Sequence, residues 1–110
     1  MEKLSFELYA NNKLEIKEET NYFIKDNIIN FKIENDTYKF NLKTNNLVKT
    51  NKEYTIDINL DKKIVLITLN GYTFEMNIIK HNIKKEDNFI EIEYTYESEE
   101  ITNNRIIINY

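Results

Sequence analysis

Cysteine, proline and tryptophan are absent from the chain, and glycine occurs once in 110 residues. Without cysteine there is no disulfide framework, thiol nucleophile or thiolate metal site. No apolar run approaches the roughly 18 to 20 residues of a membrane-spanning helix, and Met1 to Ala10 lacks the basic start and long apolar segment of a signal peptide. A cytoplasmic protein with no membrane partner is expected. Arginine appears once, and 15 basic and 19 acidic residues alternate in sign to leave a net charge of −4. Phosphate binding needs a concentrated positive surface, so no nucleic-acid partner is expected either. His81 is the single histidine, Ser5 and Ser98 are the only serines, and no Gly-rich phosphate loop or histidine-containing metal spacing occurs. Those gaps exclude a serine or cysteine hydrolase and lead to an expectation of no catalytic residues, no metal and no cofactor. Glu91 and Glu93 share an outer face and Glu99 and Glu100 fall in a turn, whereas a glycosidase needs carboxylates converging across a cleft.

What is present suffices for a core. Hydrophobic residues make up 41% and charged residues 31%, a balance that supports one packed domain over residues 1–110 with a solvated exterior. Asparagine and isoleucine occur eighteen times each, a bias that reads as AT-rich coding rather than function.

The lone glycine sits in Thr68-Leu69-Asn70-Gly71-Tyr72-Thr73-Phe74. Asn-Gly is the strongest short hairpin signal, because both central residues of a type I′ turn need positive φ. A two-residue loop there sets Leu69 against Tyr72, Ile67 against Phe74 and Val65 against Met76, one wholly apolar face. A turn at Asp61-Lys62 adds Tyr54, Ile56 and Ile58 to that face. Asn35-Asp36 pairs Ile33 with Tyr38, Phe31 with Phe40 and Ile29 with Leu42, and Asp26-Asn27 pairs Ile24 with Ile29 and Tyr22 with Phe31. In the first hairpin an Asn11 to Lys13 loop brings Leu8 to Ile16 inside and Glu7 to Lys17 outside.

Towards the C-terminus Ile90, Ile92, Tyr94 and Tyr96 face inward, followed by Ile106, Ile108 and Tyr110. An Asp87-Asn88 turn places His81 and Ile83 beside Tyr94 and Ile92, although Phe74, Met76 and Ile78 set the opposite phase. A β-bulge near Ile79 to Lys80 reconciles the two. No window shows an apolar repeat at helical spacing, so the expected fold is all-β: nine or ten strands in a single antiparallel meander, closed into a β-barrel in preference to a two-sheet sandwich.

The stretches Thr68 to Ile78 and Asn88 to Glu97, with Tyr22 to Phe31 and Thr37 to Phe40, resemble the YwiB-like family of small bacterial calycin-type barrels. The resemblance implies that fold and no reaction. This chain is shorter, and carries Val48-Lys49-Thr50-Asn51 where relatives tend to have an Arg-x-Gly turn.

Seven of eight tyrosines, all but Tyr9, take inward positions. Tyr22, Tyr38, Tyr54, Tyr72 and Tyr96 are expected at one end of the barrel, with Phe31, Phe40, Ile56, Ile67 and Phe74 as its wall. Small barrels can hold one ligand, and phenols at the mouth would fix the polar head of a small amphipathic molecule. The plainer reading is that the phenols turn to water and plug a filled barrel. His81 either lines the lumen, where it would bond a ligand or accept a proton, or is a satisfied structural histidine or one exposed at the bulge. Outward Ile64, Leu66 and Ile107 raise the alternative of a protein-protein interaction surface or a self-associating homodimer.

Overall fold

The computed structural model describes residues 2–97 and 102–110; Ser98 and the expected turn at Glu99 and Glu100 lie outside them. Among the described residues ten strands run in chain order: β1 (Lys3–Ala10), β2 (Lys13–Lys25), β3 (Ile28–Ile33), β4 (Asp36–Asn41), β5 (Asn46–Thr50), β6 (Tyr54–Asn59), β7 (Ile64–Leu69), β8 (Tyr72–Glu86), β9 (Phe89–Tyr96) and β10 (Thr102–Asn109). Each pairs antiparallel with its neighbours in sequence, and β1 pairs with β10 as well as β2, so the order closes into a barrel. No helix among the described residues is long and apolar enough to cross a membrane. The chain divides into two compact units, Met1–Asn21 with Ile78–Tyr110, and Tyr22–Asn77. Strands β2 and β8 each contribute to both.

Asparagine and aspartate do most of the turning. Asn70 and Gly71 have φ of 52° and 79°, Asp26 and Asn27 53° and 66°, and Asn11 and Asn12 51° and 66°. Positive φ at both central residues marks type I′ turns, whose twist matches that of the flanking strands. The expected registers follow at Asn70-Gly71 and Asp26-Asn27. Tyr54, Ile56 and Ile58 face Leu69, Ile67 and Val65 as expected, across a loop in which Asn59 Oδ1 accepts the Lys62 amide at 3.0 Å.

Two turns differ from their sequence reading. The β3–β4 turn is Glu34-Asn35, with positive φ on Glu34 (55°), so Ile33 meets Asp36, Phe31 meets Tyr38 and Ile29 meets Phe40. The slip is by two residues, which leaves every side chain on its expected face. The first hairpin reaches the expected pairs Leu8 with Ile16 and Glu7 with Lys17 by another device: a two-residue Asn11-Asn12 loop and a register shift at Leu8/Tyr9 that leaves Glu15 unpaired. The second bulge falls where expected. Ile78 pairs with Tyr96 and Lys80 with Thr95, so Ile79 is the extra residue, and His81 and Ile83 come to lie opposite Tyr94 and Ile92.

In the unit of residues 1–21 and 78–110 the buried apolar side chains are Leu4, Phe6, Ile78, Ile90, Ile92 and Ile106 to Ile108, and Thr95 is buried with them. Ile107, expected to point outward into solvent, is 8% exposed. It pairs with Glu7 and Glu91, and the alkyl stems of such long neighbours cover a small apolar group well. In the unit of residues 22–77 the core is Ile29, Phe31, Ile33, Tyr38, Phe40, Leu47, Ile58, Leu60 and Val65. Fully burying a side chain such as Phe40 contributes about 1.5 to 3 kcal/mol.

A Cβ added at Gly71 would meet no heavy atom within 4 Å, so only the left-handed backbone resists substitution. Gly71→Ala is expected to lower the unfolding free energy by about 1 to 2 kcal/mol with an unchanged urea m-value. An unaltered midpoint would contradict the turn geometry.

Candidate functional site

Ladder pairing in the unit of residues 22–77 lines up transverse rows on one sheet face. One row runs Tyr22, Phe31, Tyr38, Lys49, Ile56, Ile67, Phe74. A neighbouring row runs Ile24, Ile29, Phe40, Leu47, Ile58, Val65, Met76 and is wholly apolar. On the other side Ile33 faces Asp36, and Tyr54, Leu69 and Tyr72 follow one another. All the expected ligand residues except Tyr96 share this face; Tyr96 belongs to the other unit, where its ring stands 6.4 Å from that of Tyr94.

The face is not uniformly covered. Phe31, Tyr38 and Phe40 are buried, and Tyr22, Tyr54, Ile56 and Ile67 are half-buried. Leu69 is 39%, Phe74 55% and Tyr72 71% exposed. Aromatic and branched side chains on β7 and β8 therefore remain in contact with solvent at positions whose register matches the core. Phe31 and Tyr38 stack with centroids 5.0 Å apart and planes within 2°.

Lys49 interrupts the aromatic row. Its ammonium lies 5.8 Å from the Tyr38 ring centroid and 5.7 Å from that of Tyr54, within cation–π range. It reaches Asp36 Oδ2 at 3.6 Å. Asn51 Nδ2 donates to Asp36 Oδ1 at 2.7 Å, while Asn51 Oδ1 accepts the amides of Glu53 and Tyr54 at 2.8 and 2.9 Å. One asparagine thus closes the β5–β6 turn and fixes the carboxylate that answers Lys49. Beside this cluster a recess of about 610 Å³ is lined by Glu34, Asp36, Asn51, Lys52 and Tyr54 among others.

The sequence reading names the phenols and misses Lys49, Asp36 and Asn51. The signal was available: Lys49 occupies an apolar parity position, two residues after Leu47 and opposite Ile56.

Outside this face, His81 is exposed. Glu91 and Glu93 are held by Arg105, whose Nη2 and Nε donate to Glu91 Oε2 at 2.9 and 3.2 Å and whose Nε lies 4.0 Å from Glu93. Hydrogen bonding to Glu91 raises the Arg105 pKa. Ile64 is half-buried. Leu66 is 37% exposed and stands between Asp57 and Glu75 in the ladder, on the same strand face as Ile64.

Burial raises the Tyr38 pKa, opposed by the charge of Lys49. For Lys49 burial favours the neutral amine, yet Tyr38, Tyr54 and Asp36 outweigh it and the pKa rises. Both folded values lie above the ordinary ones. The stability they contribute is therefore complete below about pH 10 and is lost as pH rises through the raised values. The melting temperature is expected to fall across that alkaline window, and to fall less in Tyr38→Phe. A flat alkaline profile for the wild-type protein would contradict the cluster.

No family model and no curated protein matches the chain. The chain is similar to the crystal structure of the ywiB protein from Bacillus subtilis, at 10% sequence identity and a TM-score of 0.42 over 97% of this chain and 87% of that one.

Proposed function

We infer that the chain is a non-enzymatic, calycin-like binder of a small amphipathic molecule, working in the cytoplasm. The observation that carries the reading is the pairing of solvent-exposed Leu69, Tyr72 and Phe74 with the Lys49–Asp36 pair on one sheet face. Apolar side chains in water on a core-register face gain roughly 25 cal/mol per Å² when a ligand covers them. A tail along β7 and β8 supplies that cover. The head lies at Lys49, Asp36 and Tyr54, where an ammonium donor and a carboxylate acceptor stand side by side. Because Asp36 already answers the charge of Lys49, a neutral head able to donate and accept hydrogen bonds fits better than an ion, which would leave one partner of the pair uncompensated.

Glycerol monolaurate, with a neutral diol head and a twelve-carbon tail, is a suitable probe. Titration followed by tyrosine fluorescence is expected to show saturable one-to-one binding. Phe74→Ala and Lys49→Met are each expected to weaken it roughly tenfold, the first through lost apolar contact and the second through the lost donor. Circular dichroism of the Phe74 variant should be unchanged, since that side chain is exposed. The reading is overturned by no saturable binding, or by binding indifferent to both substitutions.

A further inference from the structure

A second polar region lies in the unit of residues 1–21 and 78–110. A recess of about 250 Å³ opens there, with Tyr9, Asn12, Asn82, Glu93, Asn103 and Arg105 in its lining. The register explains its chemistry. Tyr9, Arg105, Glu93 and Asn82 form one transverse row, and Asn103, Thr95 and Lys80 the next. Both rows lie on the face opposite buried Ile92, Ile106 and Ile108, because side chains alternate along each strand. Neighbours in such a row stand about 5 Å apart, so one ring-sized molecule can bond to several at once.

The walls are fixed by their own contacts. The Arg105 guanidinium sits 5.3 Å over the Tyr9 ring and is held at 2.9 Å by Glu91. The Tyr9 hydroxyl donates to Glu7 at 3.0 Å. Asn11 and Asn103 bond twice: the Asn11 amide donates to Asn103 O at 2.8 Å, and the Asn103 amide donates to Asn11 Oδ1 at 3.0 Å. Asn103 Oδ1 accepts the Thr95 hydroxyl. Among the described residues the side-chain amides of Asn12 and Asn82, and the Nδ2 of Asn103, carry no hydrogen bond. These are the groups left to meet a ligand.

Charge selects its class. Arg105 is answered by Glu91 and Glu93, which among the described residues leaves Lys80 as the uncompensated cation of the recess and no concentrated positive field for an anion. The lining carries no aliphatic side chain to hold a tail, and its apolar surface includes the rings of Tyr9 and Tyr94. Side-chain amides each present a donor and an acceptor, which together match adjacent hydroxyls on one molecule. We propose that this recess binds a neutral, polyhydroxylated molecule of monosaccharide size, independently of the amphiphile face.

The test is a ¹⁵N-correlated NMR titration of the intact protein with glucose, galactose, mannose and N-acetylglucosamine, with inorganic phosphate in parallel. At least one sugar is expected to shift the side-chain amides of Asn12, Asn82 and Asn103 with a Kd of about 1 mM. Asn82→Ala is expected to weaken that response roughly threefold to tenfold, while its remaining spectrum reports an intact fold. The proposal is overturned by no response to any of the sugars, by shifts outside the recess, by an Asn82→Ala titration identical to wild type, or by phosphate responding where sugars do not.

Discussion

The two-residue period of extended backbone is the constraint on which the rest of this chain depends. Once ladder hydrogen bonds fix which residues stand opposite one another, every side chain is committed to one face, and a slip of a single residue would exchange the faces wholesale. The chain manages this with turns that preserve parity and with two bulges that alter it. Ile79 is the more consequential. It falls where β8 passes from pairing with β7 to pairing with β9, and the extra residue lets Phe74 and Met76 share the apolar face of their strand pair while Ile83 shares that of Ile92. Composition serves the same end: asparagine and aspartate tolerate positive φ, so a single glycine suffices.

Against that background Lys49 is the residue that breaks the rule, and its surroundings are built to accommodate it. A charge on an apolar face is costly unless paired. Asp36 supplies the counter-charge, Asn51 holds Asp36, and the Tyr38 and Tyr54 rings flank the ammonium. Sheet positions that violate the pattern yet are carefully satisfied tend to mark use rather than packing. The exposed apolar side chains on β7 and β8 break the rule in the converse way, since they obey the register and still lack cover.

Facing was legible in the sequence to a large extent, because it is a local property of alternation and turn chemistry. The Asn70-Gly71 and Asp26-Asn27 registers, the Asp61-Lys62 pairings and the bulge at Ile79 all follow from those two rules. The Glu34-Asn35 turn did not, since aspartate beside asparagine looks like turn chemistry, whereas Asp36 is used as a strand residue bonded to Asn51. Depth of burial was less legible still. Tyr72 and Phe74 lie on the expected face but in solvent, and Ile107 lies on the polar face but under cover, because coverage depends on side chains from other strands that no local pattern reports. Lys49 carries a different signal from the tyrosines, a cation in an otherwise apolar row, and the contacts that satisfy it come from Asp36 on another strand.

Native mass spectrometry of the protein purified gently from cells, followed by denaturation and analysis of anything released, tests the central claim most directly. A binder of this kind gives a species above the bare chain mass of 13.3 kDa, carrying one equivalent of a neutral amphiphile that exchanges for an added one. A bare chain that takes up no amphiphile when offered one would contradict that claim, and would leave the exposed aromatic face of β7 and β8 without a ligand.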